Sequence, residues 1–179
     1  FYMSDSTNIT SKPLIKLLFS AIRASATWST RDITSFIRSG YLQIEDEACD
    51  ELEGYMWRWD IGGRKFERDD YWSANPDGYV ISPTITQMER LSKINDTRAR
   101  VLELLMPIRR AFAREASVKE ICVELYSLFG VLNIKEQIKA QIEVSDTDEA
   151  MELSQLYSGI MSALDTVCQI LADEQIGEE

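Results

Sequence analysis

The sequence contains no histidine. That removes the side chain most often used as a general base near neutral pH, and with it the commonest metal ligand. With only eight glycines and four prolines, it shows no low-complexity tract, internal repeat or convincing linker, and one domain is expected over residues 1–179. Basic residues are the minority, 19 against 30 acidic ones, for a net charge of −11. This argues against a protein whose main surface grips phosphates, though a local basic strip would still fit. No apolar run approaches the roughly 20 residues needed to span a bilayer, and no signal-peptide pattern is present. Cys49, Cys122 and Cys168 are odd in number, far apart and set in apolar helical contexts. They read as buried reduced thiols of a cytoplasmic protein.

What is there is globular: 45% hydrophobic and 27% charged residues over 179 positions, enough for a real core. The chain opens on Phe1-Tyr2 without an initiator methionine and closes on Gly177-Glu178-Glu179 directly after a helix. It reads as a piece excised from a longer polypeptide. The first 11 residues read as an extended entry segment.

The patterning that follows is helical. Ser11 and Pro13 start a helix with Leu14, Leu17, Leu18, Ala21 and Ile22 on its inner face. Ser29 with Asp32 opens a second, ended by Gly40. A third runs from Glu45 to Trp59, acidic in its first turns, where the macrodipole favours negative charge. Its last turns crowd Tyr55, Met56, Trp57 and Trp59 together, which marks a place where elements meet. Gly62 to Ser82 is the least regular stretch, a long loop whose aromatics are expected to pack, with Tyr79-Val80-Ile81 as a very short strand or an extended cover. One long helix is expected from Thr84 to Arg114, kinked about a turn before Pro107. Ser117 and Glu120 form a capping box for the next, which stops at Gly130. Asn133 with Glu136 caps a shorter helix, and Asp146 caps the last, whose apolar residues recur at steps of three and four. The sum is an all-α, irregular bundle of about seven helices.

Chemistry is harder to find. Gly62-Gly63-Arg64-Lys65 has the composition of a phosphate loop without its spacing, and reads as a helix stop with a solvated basic turn. Asp146, Asp148 and Glu149 lack the glycine and glutamate that a calcium loop needs, since Met151 and Tyr157 occupy those places. Asp69-Asp70 is followed by no third carboxylate at metal spacing. Asp165 and Asp173 stand singly on the last helix. Arg98, Arg100, Arg109, Arg110 and Arg114 line the long helix, and Arg58, Arg64, Lys65 and Arg68 lie near the aromatic cluster. If the two groups shared a face they would touch a phosphate backbone. The plainer reading is a mixed-charge solvated surface.

Several segments together resemble the B subunit of the bacterial AddAB helicase–nuclease. Phe1 to Asp5 followed by Ser11-Lys12-Pro13-Leu14 is similar to a family segment in which an aromatic strand end and an aspartate precede a His-Pro-Leu helix start; Lys12 stands where the family usually has His. Ile44 to Glu53 with Tyr55 resembles an acidic helix of the family, and Gly62 to Trp72 its glycine, basic and tryptophan continuation. Arg100-Val101-Leu102-Glu103 with Pro107 resembles a further helix, and the helices from Val118 and Met151 follow in the same order. The resemblance implies a helical insertion in the second motor-like domain of a superfamily 1 helicase subunit that processes double-strand breaks for recombinational repair. It implies an AddA-type partner subunit and DNA as partners through the parent protein, with no membrane and no small-molecule substrate in this segment. ATP, Mg²⁺ and the iron–sulfur cluster of the family would all lie outside it, so no cofactor, metal or catalytic residue carries over to any position here. The expectation is a non-catalytic support for the motor core, with Arg64, Lys65, Arg68, Arg98, Arg100, Arg109 and Arg110 as candidate DNA contacts. The alternative is a free-standing acidic protein-interaction domain, which an exposed apolar patch around Trp57, Trp72 and Tyr79 would favour.

Overall fold

Helix propensity, capping and apolar periodicity act together along this chain, and a computed structural model describes the outcome for residues 12–68, 70–79 and 82–173. Among the described residues there are eight helices and no strand. They are α1 (Pro13–Thr27), α2 (Thr30–Ile37), α3 (Asp46–Arg58), α4 (Arg64–Glu67), α5 (Ile85–Ala113), α6 (Val118–Val131), α7 (Ile134–Val144) and α8 (Thr147–Asp173). The all-α expectation holds. The helix that periodicity did not reveal is α4, a single turn of four residues in the long loop. The entry segment, the Ser11 cap, Asp69, Val80 and Ile81 lie outside the described residues.

The chain divides into two compact units, with the boundary inside α5 between Met106 and Pro107. In the first, α1 packs on α2 and α2 on α3. Leu14, Leu17, Ala21, Ile33, Phe36, Leu52 and Met56 are buried there, and α5 adds Ile94, Val101 and Leu105. In the second, α6, α7 and α8 pack on one another, and Leu125, Phe129, Ile134, Ile138, Ile160 and Leu164 are buried. Helical geometry continues through Pro107. Proline has no N–H, so the Glu103 carbonyl loses its intrahelical donor at the boundary between the units.

The caps show how locally these boundaries are written. Ser29 accepts from the Asp32 amide at 3.2 Å. In α6 the capping box is complete: the Ser117 hydroxyl accepts from the Glu120 amide at 3.3 Å, and the Ser117 amide donates to the Glu120 carboxylate at 2.9 Å. The Glu120 carboxyl is held below its ordinary range, first by the Ser117 amide and then by the Ser117 hydroxyl. A depressed folded pKa means that this contribution is present above the unfolded value of about 4.3 and is lost as pH falls through the folded one. Ser117→Ala is expected to lower stability by about 1 kcal/mol at neutral pH, read as a lower urea midpoint for the transition that reports α6.

Asn133 corrects the sequence reading. It makes no side-chain cap to α7 and instead takes a left-handed conformation, φ 51°. Only two residues separate α6 from α7, so Asn133 has to terminate the first helix while starting the second. Its amide donates to the Gly130 carbonyl at 3.0 Å, and its own carbonyl accepts from the Glu136 and Gln137 amides at 3.0 and 3.1 Å. Asparagine tolerates this backbone region better than most residues. Gly130 itself lies inside α6, which ends at Val131.

Candidate functional site

The aromatic end of α3 is hydrogen-bonded to the described residues of the loop after it. At Gly63, φ is 57° and the amide donates to the Trp28 carbonyl at 2.8 Å. Gly62 passes so close that an added Cβ would meet Thr30 Oγ1 at 3.4 Å, while the Thr30 hydroxyl donates to the Ile61 carbonyl at 2.9 Å. The double glycine therefore docks the loop onto the α1–α2 connection. Its amide is spent on protein, and Lys65 Nζ donates to the Asp60 carbonyl at 2.8 Å, so the stretch has no phosphate cradle.

α4 then turns Phe66 inward. Its ring stacks on Trp28 at 5.3 Å between centroids and meets Trp72 edge-on at 5.7 Å. Trp72 in turn stacks on Tyr55 at 5.1 Å. Asn95 of α5 grips Trp72 from both sides of its peptide, accepting from the amide at 2.9 Å and donating to the carbonyl at 3.0 Å. The Tyr55 hydroxyl and the Trp59 indole donate to the Ala74 and Asn75 carbonyls, each at 3.1 Å.

Beneath this layer lies Arg98, only 5% exposed. Its Nε and Nη2 donate to the Phe66 carbonyl at 3.1 and 2.9 Å, Nη1 donates to the Asp70 carbonyl at 2.9 Å, and Nη2 also reaches the Arg68 carbonyl. The guanidinium sits 4.5 Å from the Trp72 ring centroid and 5.9 Å from that of Phe66. A planar fork of donors suits such a set of converging carbonyls, and the ring faces add cation–π attraction.

The seven basic residues expected at a DNA surface thus separate. Arg98 is a clamp inside the fold. Lys65 and Arg68 lie at the surface beside Asp60 and Asp70, at 3.4 Å in each case, and Arg100 pairs with Glu103 at 2.7 Å. Arg64 is exposed on α4. Arg109 is half-buried and Arg110 exposed, both in the second unit. So Arg64, Lys65, Arg68 and Arg98 are neighbours around α4, with Arg98 turned inward. Trp57 is 66% and Tyr79 99% exposed, but Trp72 is buried, so the three-residue apolar patch does not form.

The remaining candidates resolve into structure. Asp146 accepts from the Asp148 and Glu149 amides at 3.1 and 2.9 Å, an N-terminal cap of α8. Asp165 accepts from the Tyr126 hydroxyl, whose oxygen also lies 3.0 Å from the Met161 carbonyl oxygen. The side chain of Asp173 is outside the described residues. Among the described residues no cluster of three or more His, Cys, Asp or Glu could hold a metal, and no helix is long and apolar enough to cross a membrane. Sequence spacing did not reveal that Cys122 and Cys168 meet; burial first, then Cys168, pushes the Cys122 thiol up to about 11.

Comparison with known proteins gives one consistent result. The chain is 26% identical over 182 residues to the B subunit of the ATP-dependent helicase/deoxyribonuclease of Clostridium botulinum, covering 98% of this chain and 16% of that protein. The corresponding B subunit of Clostridium acetobutylicum is 26% identical over 186 residues, covering 100% of this chain and 16% of the relative. That of Acetivibrio thermocellus is 25% identical over 184 residues, covering 99% and 16%. No protein-family model matches the chain. The resemblance read from the residues is borne out along nearly the whole sequence, and the chain spans about a sixth of the length of these relatives.

Proposed function

From its homology to the B subunits of ATP-dependent helicase/deoxyribonucleases, we propose that this chain is a non-catalytic, all-helical accessory segment of such a protein. It braces the motor core and offers a secondary contact to DNA, and it works with an AddA-type partner through the parent protein. The observation that carries the reading is the alignment of nearly the entire chain with one stretch of those relatives. The fold supports it. The side chains with chemical potential (Arg98, Asn95, Asp146, Ser117) are committed to holding backbone in place. The basic residues Arg64, Lys65, Arg68, Arg100, Arg109 and Arg110 supply the DNA contact in this reading, and ATP, Mg²⁺ and any iron–sulfur cluster belong to other parts of the parent protein.

The purified chain, first shown to be helical and cooperatively folded by circular dichroism, is expected to hydrolyse neither ATP nor DNA. Its DNA affinity should be weak and should fall steeply between 50 and 200 mM salt. Turnover by the folded chain, or nanomolar DNA binding indifferent to salt, would overturn the assignment.

A further inference from the structure

The DNA contact proposed above has a better seat than the cations that sequence reasoning picked out. We propose that the groove between α1 and α2 binds single-stranded DNA, with Phe19 stacking on a base and Lys16 and Arg23 taking the flanking phosphates. The groove has a volume of about 420 Å³ and is lined by Lys16, Phe19, Ser20, Arg23, Asp32 and Ser35.

Three observations converge. First, Lys16, Phe19 and Arg23 are spaced by three and four residues, so they share one face of α1 in the order cation, aromatic, cation. Seven residues of helix span about 10 Å, the length over which a stacked strand carries about three phosphates. Second, Phe19 is 48% exposed in the middle of this row, while Leu14, Leu17 and Ala21 of the same helix are fully buried. A large ring left half in water beside two cations is the arrangement used for sequence-tolerant strand binding. Third, Lys16 and Arg23 have no ion-pair partner among the described residues, whereas Lys65, Arg68 and Arg100 each face a carboxylate. Both cations line this one groove. Asp32, the one carboxylate there, accepts from the Ser29 hydroxyl at 2.6 Å and the Thr27 hydroxyl at 3.4 Å as part of the α2 cap. Its charge is partly satisfied by those hydroxyls, and the Ser20 hydroxyl is held by the Lys16 carbonyl at 2.6 Å. A base has to be unpaired to lie on Phe19, so the groove selects single strands over duplex.

This inference rests on the DNA-contact reading, and its test separates the two. Anisotropy of a fluorescein-labelled 12-nucleotide oligothymidine is followed from 50 to 200 mM salt with wild-type chain, K16Q/R23Q, F19A and, as a comparison, R64Q/K65Q/R110Q, each checked for wild-type melting. K16Q/R23Q is expected to weaken binding at least about tenfold at low salt and to flatten the salt slope by about 1.4, two phosphate contacts at roughly 0.7 each. F19A is expected to weaken it by about fivefold or more with the slope unchanged. Wild-type behaviour of folded K16Q/R23Q, or preference for a duplex of the same length, would overturn the groove. If R64Q/K65Q/R110Q alone abolished binding, the groove would fall while the DNA contact stood. If the wild-type chain bound no DNA at 50 mM salt, both would fall.

Discussion

Replacing Arg98 with methionine is expected to destabilise the first unit by about 3 to 5 kcal/mol, because several backbone carbonyls lose their donor at once, at about 1 to 3 kcal/mol for each buried one. Methionine fills much of the volume of the arginine stem but donates nothing. The carbonyls of Phe66 and Asp70, which the guanidinium reaches at 2.9 to 3.1 Å, would lose those donors, as would the Arg68 carbonyl. The cation–π contact with Trp72, 4.5 Å from its ring centroid, goes as well. Arg98→Lys should recover little of this, because a single ammonium lacks the planar fork of donors that reaches all of these carbonyls at once. The check is urea denaturation, with hydrogen exchange over residues 62–79. Faster exchange in the loop at low urea is expected to accompany the loss of global stability. A variant as stable as wild type would mean that the loop is held by its rings alone.

Phe66→Ala is expected to cost a similar amount, about 3 to 5 kcal/mol, by a different route. Phe66 is fully buried and lies between Trp28 at 5.3 Å and Trp72 at 5.7 Å, so truncation opens a cavity between two rings that the backbone holds apart. The Gly63–Trp28 and Asn95–Trp72 hydrogen bonds fix both walls, which limits collapse. Because Arg98 also lies 5.9 Å from the Phe66 ring centroid, the double variant should cost clearly less than the sum of the singles. Equilibrium unfolding of the two single variants and the double gives that coupling directly. Additivity would place Arg98 and Phe66 in independent parts of the loop.

Most of the helical outline was legible because its signals are local. The Ser29 and Ser117 caps, Pro13 in the first turn and the apolar steps of three and four each place an element to within a residue or two. α4 was not legible, since four residues show no period. Asn133 was misread because a two-residue link forces one residue to serve two helices, and that constraint appears only when both ends are known. Arg98 did carry a signal. It falls on the seam Ile94, Arg98, Val101, Leu105, Ile108, where spacing demands an inward side chain and composition suggests a surface one. Spacing prevailed, because the long loop supplies carbonyls to receive the charge. The α1 groove carried the opposite signal. Phe19 stands off the Leu14, Leu17, Leu18, Ala21 stripe with a cation on each side, and an aromatic on the solvent side of an amphipathic helix invites a ligand reading.

The central claim is that the charged and aromatic side chains of the α3–α5 layer hold the segment together and take no part in bond breaking. Under the proposed function, the most direct test is ATP-driven DNA unwinding by a B subunit that carries this segment, assembled with an AddA-type subunit, wild type against Arg98→Met, as a function of temperature. The expected result is equal rates at temperatures where hydrogen exchange shows residues 62–79 folded in both, with loss in the variant only where that segment melts. A variant whose segment is folded but whose rate has fallen at every temperature would contradict it, because Arg98 would then be acting in the reaction.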